Sequence, residues 1–253
     1  MKTALGTRHQ CHPEPSRRAV SGIWHHCTMK HTIFLFLFLL GLSLQSQVSV
    51  HVEESRKYAA MGYKSVEEYD SLNGFRLLDK NFNAVGELEK IVFGYHPYWG
   101  GSDYLNYQWE LLSDLCYFSY EVEAATGGPV TFYDWLTSPA IDSAFAHGTR
   151  VHLCVTLFSG HATFFENPQA RQNLTQNLID LVQQRGADGV SFDFELVPAS
   201  QGENMVSYLA EFAQAFRAQA PGGMISMAIP AVDWSGIYDV AELDPSIDLF
   251  MIM

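Results

Sequence analysis

From about Leu88 onward the chain alternates short, nearly unbroken apolar runs with longer stretches in which apolar residues recur every three or four positions. The short runs cover residues 90–95, 115–120, 151–157, 189–195, 224–229 and 247–253. Runs that are apolar on successive rather than alternate residues are expected of parallel strands covered on both faces. Between the third and fourth runs, Asn167 is placed to cap a helix, with Pro168 at its first position and Gly186 just past its end. Leu174, Leu178, Leu181 and Val182 then fall on one face. Between the fourth and fifth runs, Ser200 and Glu203 make a capping-box pattern ahead of Met205, Tyr208, Leu209, Phe212 and Phe216, whose helical spacing marks them as core. Residues 139–146 predict a further helix before the third strand.

This alternation predicts an α/β fold with a parallel sheet. A closed barrel takes eight strands, whereas an open doubly wound sheet can stop at six. The last residues, Phe250-Met251-Ile252-Met253, lie inside an apolar run with no turn or polar tail after it. That favours a TIM (β/α)8 barrel truncated after about the sixth strand. Open sheet edges would follow, so the chain as written is expected to be poorly stable or inactive.

The N-terminal part has a different pattern. Met29-Lys30-His31 precedes the apolar run 33–42, broken only by Gly41, and then Ser43 to Ser46. Residues 29–46 read as a secretory signal peptide, because roughly 10 apolar residues fall short of the about 20 that a membrane span needs. The expected location is secreted, extracellular or periplasmic, with no retained membrane span. Residues 1–28 then read as a spurious upstream extension. Their His9, Cys11, His12, His25, His26 and Cys27 fit no standard zinc spacing, so no metal site is read there. Residues 47–88 form a polar N-terminal extension with a helical hint at 65–72, and the barrel occupies 89–253. Cys116 and Cys154 lie in strand-like runs, either as buried thiols or as a disulfide between neighbouring strands.

At 253 residues and 47% hydrophobic content, one large core can be buried. The net charge of −13 comes without a basic stripe, which argues against nucleic acid as a partner and suits a neutral substrate. Removing residues 1–28 deletes four basic groups and one acid, so the remainder is more acidic still. No clustered ligands imply a metal or organic cofactor, and no glycine-rich nucleotide motif is present.

The chemistry concentrates in Asp188-Gly189-Val190-Ser191-Phe192-Asp193-Phe194-Glu195. On a strand, Ser191, Asp193 and Glu195 share one face and Val190, Phe192 and Phe194 the other. In a barrel the polar trio faces the interior, and Glu195 sits at the C-terminal strand end where barrel active sites are built. Two carboxylates two residues apart lie roughly 6.5 Å from each other along a strand. Their proximity and burial should push one pKa up, leaving a protonated general acid near neutral pH. An acidic strand end can also simply cap or pair, but three inward polar positions in an apolar strand are costly without a function.

This stretch resembles the D-G-x-D-x-D-x-E signature of glycoside hydrolase family 18, the chitinase-like family. Asp188, Gly189, Asp193 and Glu195 match; Ser191 stands at the middle acidic position, as Asn does in the branch that includes spore-cortex lytic enzymes. Phe93-Gly94-Tyr95-His96-Pro97-Tyr98-Trp99 resembles the family's first strand and Tyr117-Phe118-Ser119-Tyr120 its second. The third, Val155-Thr156-Leu157-Phe158-Ser159-Gly160, lacks the usual S-x-G-G, and residues 247–253 resemble the sixth.

The resemblance implies a retaining, substrate-assisted hydrolysis of β-1,4-linked N-acetylglucosamine polymers: chitin, peptidoglycan or the N-glycan core. Glu195 would be the proton donor and Asp193 would orient the 2-acetamido group. Ser191, Tyr95 and Trp99 are candidate substrate contacts, the last two as a polar contact or a sugar-stacking face, with Asp188 and Gly189 as the structural part of the motif. The rival reading is a non-catalytic, lectin-like barrel that binds the same oligosaccharides.

Overall fold

The computed structural model describes residues 49–79 and 88–253. Six parallel strands follow one another in the sheet in the order in which they occur in the chain: β1 (Phe93–Pro97), β2 (Asp114–Val122), β4 (Arg150–Leu157), β5 (Gly189–Phe194), β6 (Met224–Ile229) and β7 (Leu249–Ile252). A short strand, β3 (Pro129–Thr131), pairs antiparallel with β2 beyond this path. A doubly wound sheet reverses its strand order at a switch point, and no reversal occurs here. The result is a curled section of a (β/α)8 barrel, six parallel strands with helices packed on the outside.

The outer helices are α3 (Pro139–Ala146), α4 (His161–Phe165), α5 (Pro168–Arg185), α6 (Gly202–Gln219) and the single turn α7 (Val240–Leu243). Asn167 caps α5 as its sequence predicts, its side chain accepting from the backbone N–H of Gln169 and Ala170, and Gly186 ends the helix at φ 72°. Leu174, Leu178 and Val182 are buried against the sheet, while Leu181 is only partly covered. The expected capping box of α6 does not form. Ala199–Gln201 make a 3-10 turn instead, and the helix begins at Gly202 without a side-chain cap. Its five expected core residues are nonetheless fully buried, and Phe192 meets Phe212 edge-on at 4.9 Å.

The first strand runs from Phe93 to Pro97, later than residues 90–95, because its partner begins only at Asp114. At the N-terminal end of the strands, buried Asp114 accepts from Arg150 (2.8 Å) and Ser113 (2.6 Å) and is bonded to His152 (2.7 Å). Burial alone would raise the Asp114 pKa, but these hydrogen bonds outweigh it and hold the carboxyl at about 2. Cys116 and Cys154 are free, buried thiols, so no bridge links the strands.

Among the described residues, two helices precede the barrel, α1 (Val50–Met61) and α2 (Val66–Asn73). The second carries a capping box between Ser65 and Glu68. Asp70 accepts from the backbone N–H of Ser102 at 2.7 Å, and Asn73 donates to the Trp99 carbonyl at 2.7 Å. Gly101 makes this docking possible, since its φ is +54° and a Cβ there would stand 2.3 Å from Asp70 Oδ1. The segment 47–88 is therefore, over its described part, a helical pair fastened to the chain that follows β1. The predicted signal peptide and upstream extension lie outside the described residues. No helix among the described residues is long and apolar enough to cross a membrane.

Candidate active site

Strand β5 and its flanks set the geometry. At its N-terminal end, Asp188 accepts from the Val151 N–H at 2.8 Å, and its own backbone bridges to Val151 and Met224. Gly189 follows where a Cβ would stand 2.3 Å from the Met224 carbonyl oxygen and 2.5 Å from His152 Nδ1. Only a glycine lets the three strands come this close. These two residues lock the register at the opposite end of the strand from the carboxylates.

Phe192 and Phe194 pack outward on Phe164, Phe165, Tyr208 and Phe212. Ser191 and Asp193 are fully buried on the inner side, and Glu195, 7% exposed, lies one residue past the strand end. Leu196, next in the chain, has φ 58°, a left-handed backbone uncommon for a residue with a side chain. Burial is the largest cause that raises the Glu195 pKa, the neighbouring charge of Asp193 adds to it, and the group reaches about 7. One member of the carboxylate pair is therefore held as an acid near neutral pH.

Other strands complete the surroundings. Tyr95, on β1, has its hydroxyl buried, and burial drives its pKa well upward. The Tyr95 hydroxyl, Ser191 Oγ and Asp193 Oδ1 have no hydrogen-bond partner among the described residues. Trp99 is only 6% exposed: the Tyr58 ring lies parallel to it at 4.7 Å, and Tyr98 and Phe118 meet it edge-on. One face of the expected stacking residue is thus covered by α1.

Two residues that sequence reasoning missed lie directly on the carboxylates. The Ser49 hydroxyl donates to Glu195 Oε1 at 2.5 Å, and His51 Nδ1 is bonded to Asp193 Oδ2 at 3.0 Å. Burial would lower the His51 pKa, but Asp193 and Glu195 outweigh it and leave it raised. His51, Asp193 and Glu195 are also a set whose ligand atoms, all within 4.8 Å, could hold a metal ion. Nothing local in the sequence marks Ser49 or His51, which reach the site across more than 140 residues.

Sequence reasoning also did not single out Trp234, which is 86% exposed on the loop after β6. Asp233 braces that loop by accepting from the N–H groups of Ser235, Gly236 and Tyr238. Tyr238 fastens it to β5, its hydroxyl donating to the Phe194 carbonyl at 2.6 Å. The available signal was a tryptophan beside an Asp-Trp-Ser-Gly turn sequence just past a barrel strand.

Sequentially ordered parallel strands with a buried acid at the C-terminal end of one of them are the arrangement of a barrel enzyme. The sequence profile of glycosyl hydrolases family 18 matches residues 91–253, and the chain belongs to that family. A Bacillus subtilis protein named a sporulation-specific glycosylase, YdhD, is 35% identical over 92 residues, which are 34% of this chain and 21% of that one. Among solved structures, a chitinase from Cycas revoluta in complex with (GlcNAc)3 superposes with a TM-score of 0.55 at 19% identity, covering 64% of this chain and 54% of that one. A chitinase from Bacteroides thetaiotaomicron gives a TM-score of 0.55 at 17% identity, covering 65% and 53%. The chain spans about a fifth of the length of the Bacillus relative and about half that of the chitinases; at these identities the structural matches show the fold alone.

Proposed function

We propose that this protein is a secreted glycosidase that hydrolyses β-1,4-linked N-acetylglucosamine polymers by a retaining mechanism assisted by the substrate. The observation that carries the reading is the carboxyl of Glu195, buried at a barrel strand end and held near pKa 7 beside Asp193. In this reading Glu195 donates its proton to the glycosidic oxygen as the bond to the leaving sugar breaks. The substrate's own acetamido oxygen attacks the anomeric carbon, so no enzyme nucleophile is required. Asp193 accepts the acetamido N–H and stabilises the positive charge that develops on the ring formed. Glu195, now a carboxylate, takes a proton from the water that opens that ring.

Family membership supports this reading, and a chitinase that shares the fold is in complex with (GlcNAc)3. The polar atoms of Tyr95, Ser191 and Asp193 supply hydrogen-bonding capacity for a sugar. The exposed indole of Trp234 offers a flat apolar face on which a pyranose ring can stack. A lectin-like barrel would not need an acid tuned to neutrality. The segment 29–46 supports export, since its pattern is that of a signal peptide.

The test is hydrolysis of a fluorogenic N-acetylglucosamine oligomer by wild type and by Glu195→Gln. Turnover that falls by about 10²–10⁴ in the variant, the usual worth of a general acid, supports the proposal. Oligomer binding without turnover in either protein would replace it with the lectin reading.

A further inference from the structure

We infer that the carboxylate site is a binding site for the chain's own segment 49–61, which takes the substrate's place until sugar displaces it. The inference rests on the reading of the site given above. Its starting point is that both carboxylates already have partners, and both partners come from α1 and its cap. Ser49 sets a hydroxyl 2.5 Å from Glu195 Oε1, and His51 sets a ring nitrogen 3.0 Å from Asp193 Oδ2. A sugar would present the same pair of groups, an oxygen at the acid and an N–H at the orienting carboxylate.

The remaining contacts of the segment follow the same course. The His51 ring rests on Tyr95 at 5.2 Å and on Phe118 at 5.6 Å, aromatic surface beside the carboxylates. Val52 is fully buried, and Tyr58 covers Trp99. Ser49 is the N-cap of α1 and His51 its second residue, so the side chains that meet the two carboxylates both come from the start of this helix. Downstream, Asp70 and Asn73 hold α2 to the chain after β1 by bonds that involve neither carboxylate. The first turn can therefore leave Glu195 and Asp193 while the segment stays attached, which is the arrangement a reversible occupant needs.

The experiment uses the full chain and its His51→Ala variant with the N-acetylglucosamine tetramer as probe. His51 is partly exposed, so the change leaves the core intact, and a circular dichroism spectrum checks that. Without sugar, the inference expects faster hydrogen exchange at the Val52, Glu53 and Glu54 amides in the variant. Loss of one hydrogen bond to a charged partner corresponds to about ten- to a hundredfold. With the tetramer, these amides should exchange faster in the wild type, and the variant should bind the tetramer about tenfold or more tightly by calorimetry. Unchanged exchange in the variant, slower exchange on adding sugar, or equal or weaker binding by the variant would each overturn it. A tetramer that binds neither protein would instead defeat the hydrolase reading, and the sugar-free exchange comparison would still decide whether the segment occupies the site.

Discussion

Replacing Glu195 with glutamine should stabilise the protein, and only above a particular pH. The Glu195 carboxyl is raised from 4.5 to about 7 in the folded protein, first by burial and then by the charge of Asp193. Between those two values the unfolded chain has released this proton while the folded one still holds it. Folding stability therefore falls as pH rises through this window. At 1.36 kcal/mol per pKa unit the loss amounts to about 3 kcal/mol, complete above pH 7 and absent below about 4.5. Glu195→Gln keeps the shape and an oxygen to accept from Ser49, and it carries no proton to lose. Urea unfolding of both proteins at pH 4 and pH 8 should show equal stability at the lower pH and a gain of up to about 3 kcal/mol for the variant at the higher. A gain of the same size at both pH values, or a loss at pH 8, would refute the account of the Glu195 environment.

Further outcomes follow from the frame around the site. Gly189→Ala should cost about 3 kcal/mol or more, measured as a lower urea midpoint, because the added methyl meets a backbone oxygen and a buried imidazole that cannot both withdraw. Asp114, held at about 2 against 3.8, contributes about 2 kcal/mol that is present above pH 3.8 and lost as pH falls toward 2. Acid unfolding of Asp114→Asn should lack that step. Trp234→Ala should leave the urea midpoint within about 0.5 kcal/mol of wild type. The same change should weaken tetramer binding about two- to tenfold, the worth of one stacked ring; unaltered affinity would remove this residue from the binding surface.

Much of this arrangement was legible in the chain because it depends on local pattern. The apolar runs located all six parallel strands to within a few residues, and Asn167, Pro168 and Gly186 marked both ends of α5, since caps and breakers act on adjacent backbone. The alternation at Ser191, Asp193 and Glu195 placed the acid at the strand end. What escaped was tertiary. Ser200 and Glu203 have capping-box spacing, yet the 3-10 turn at Ala199–Gln201 takes up the residues that the box needs. The short strand β3 has three residues, too few for a periodic signal. Ser49, His51 and Tyr58 meet Glu195, Asp193 and Trp99 through folding back of a distant segment, and no spacing rule reports such contacts.

The strand order also governs how the molecule is made. Because each parallel strand pairs with the one before it in the chain, every strand leaving the ribosome finds its neighbour already waiting, and the sheet can grow by accretion. The contact of Ser49 with Glu195 departs from this rule, with 146 residues between its partners. The hydrogen bonds of Ser49 and His51, in the earliest synthesised part of the described chain, must thus wait until β5 has been laid down. During that interval the first turn of α1 can rest only on the aromatic rings of Tyr95 and Phe118, so this stretch is where a chaperone or a protease would meet the nascent protein.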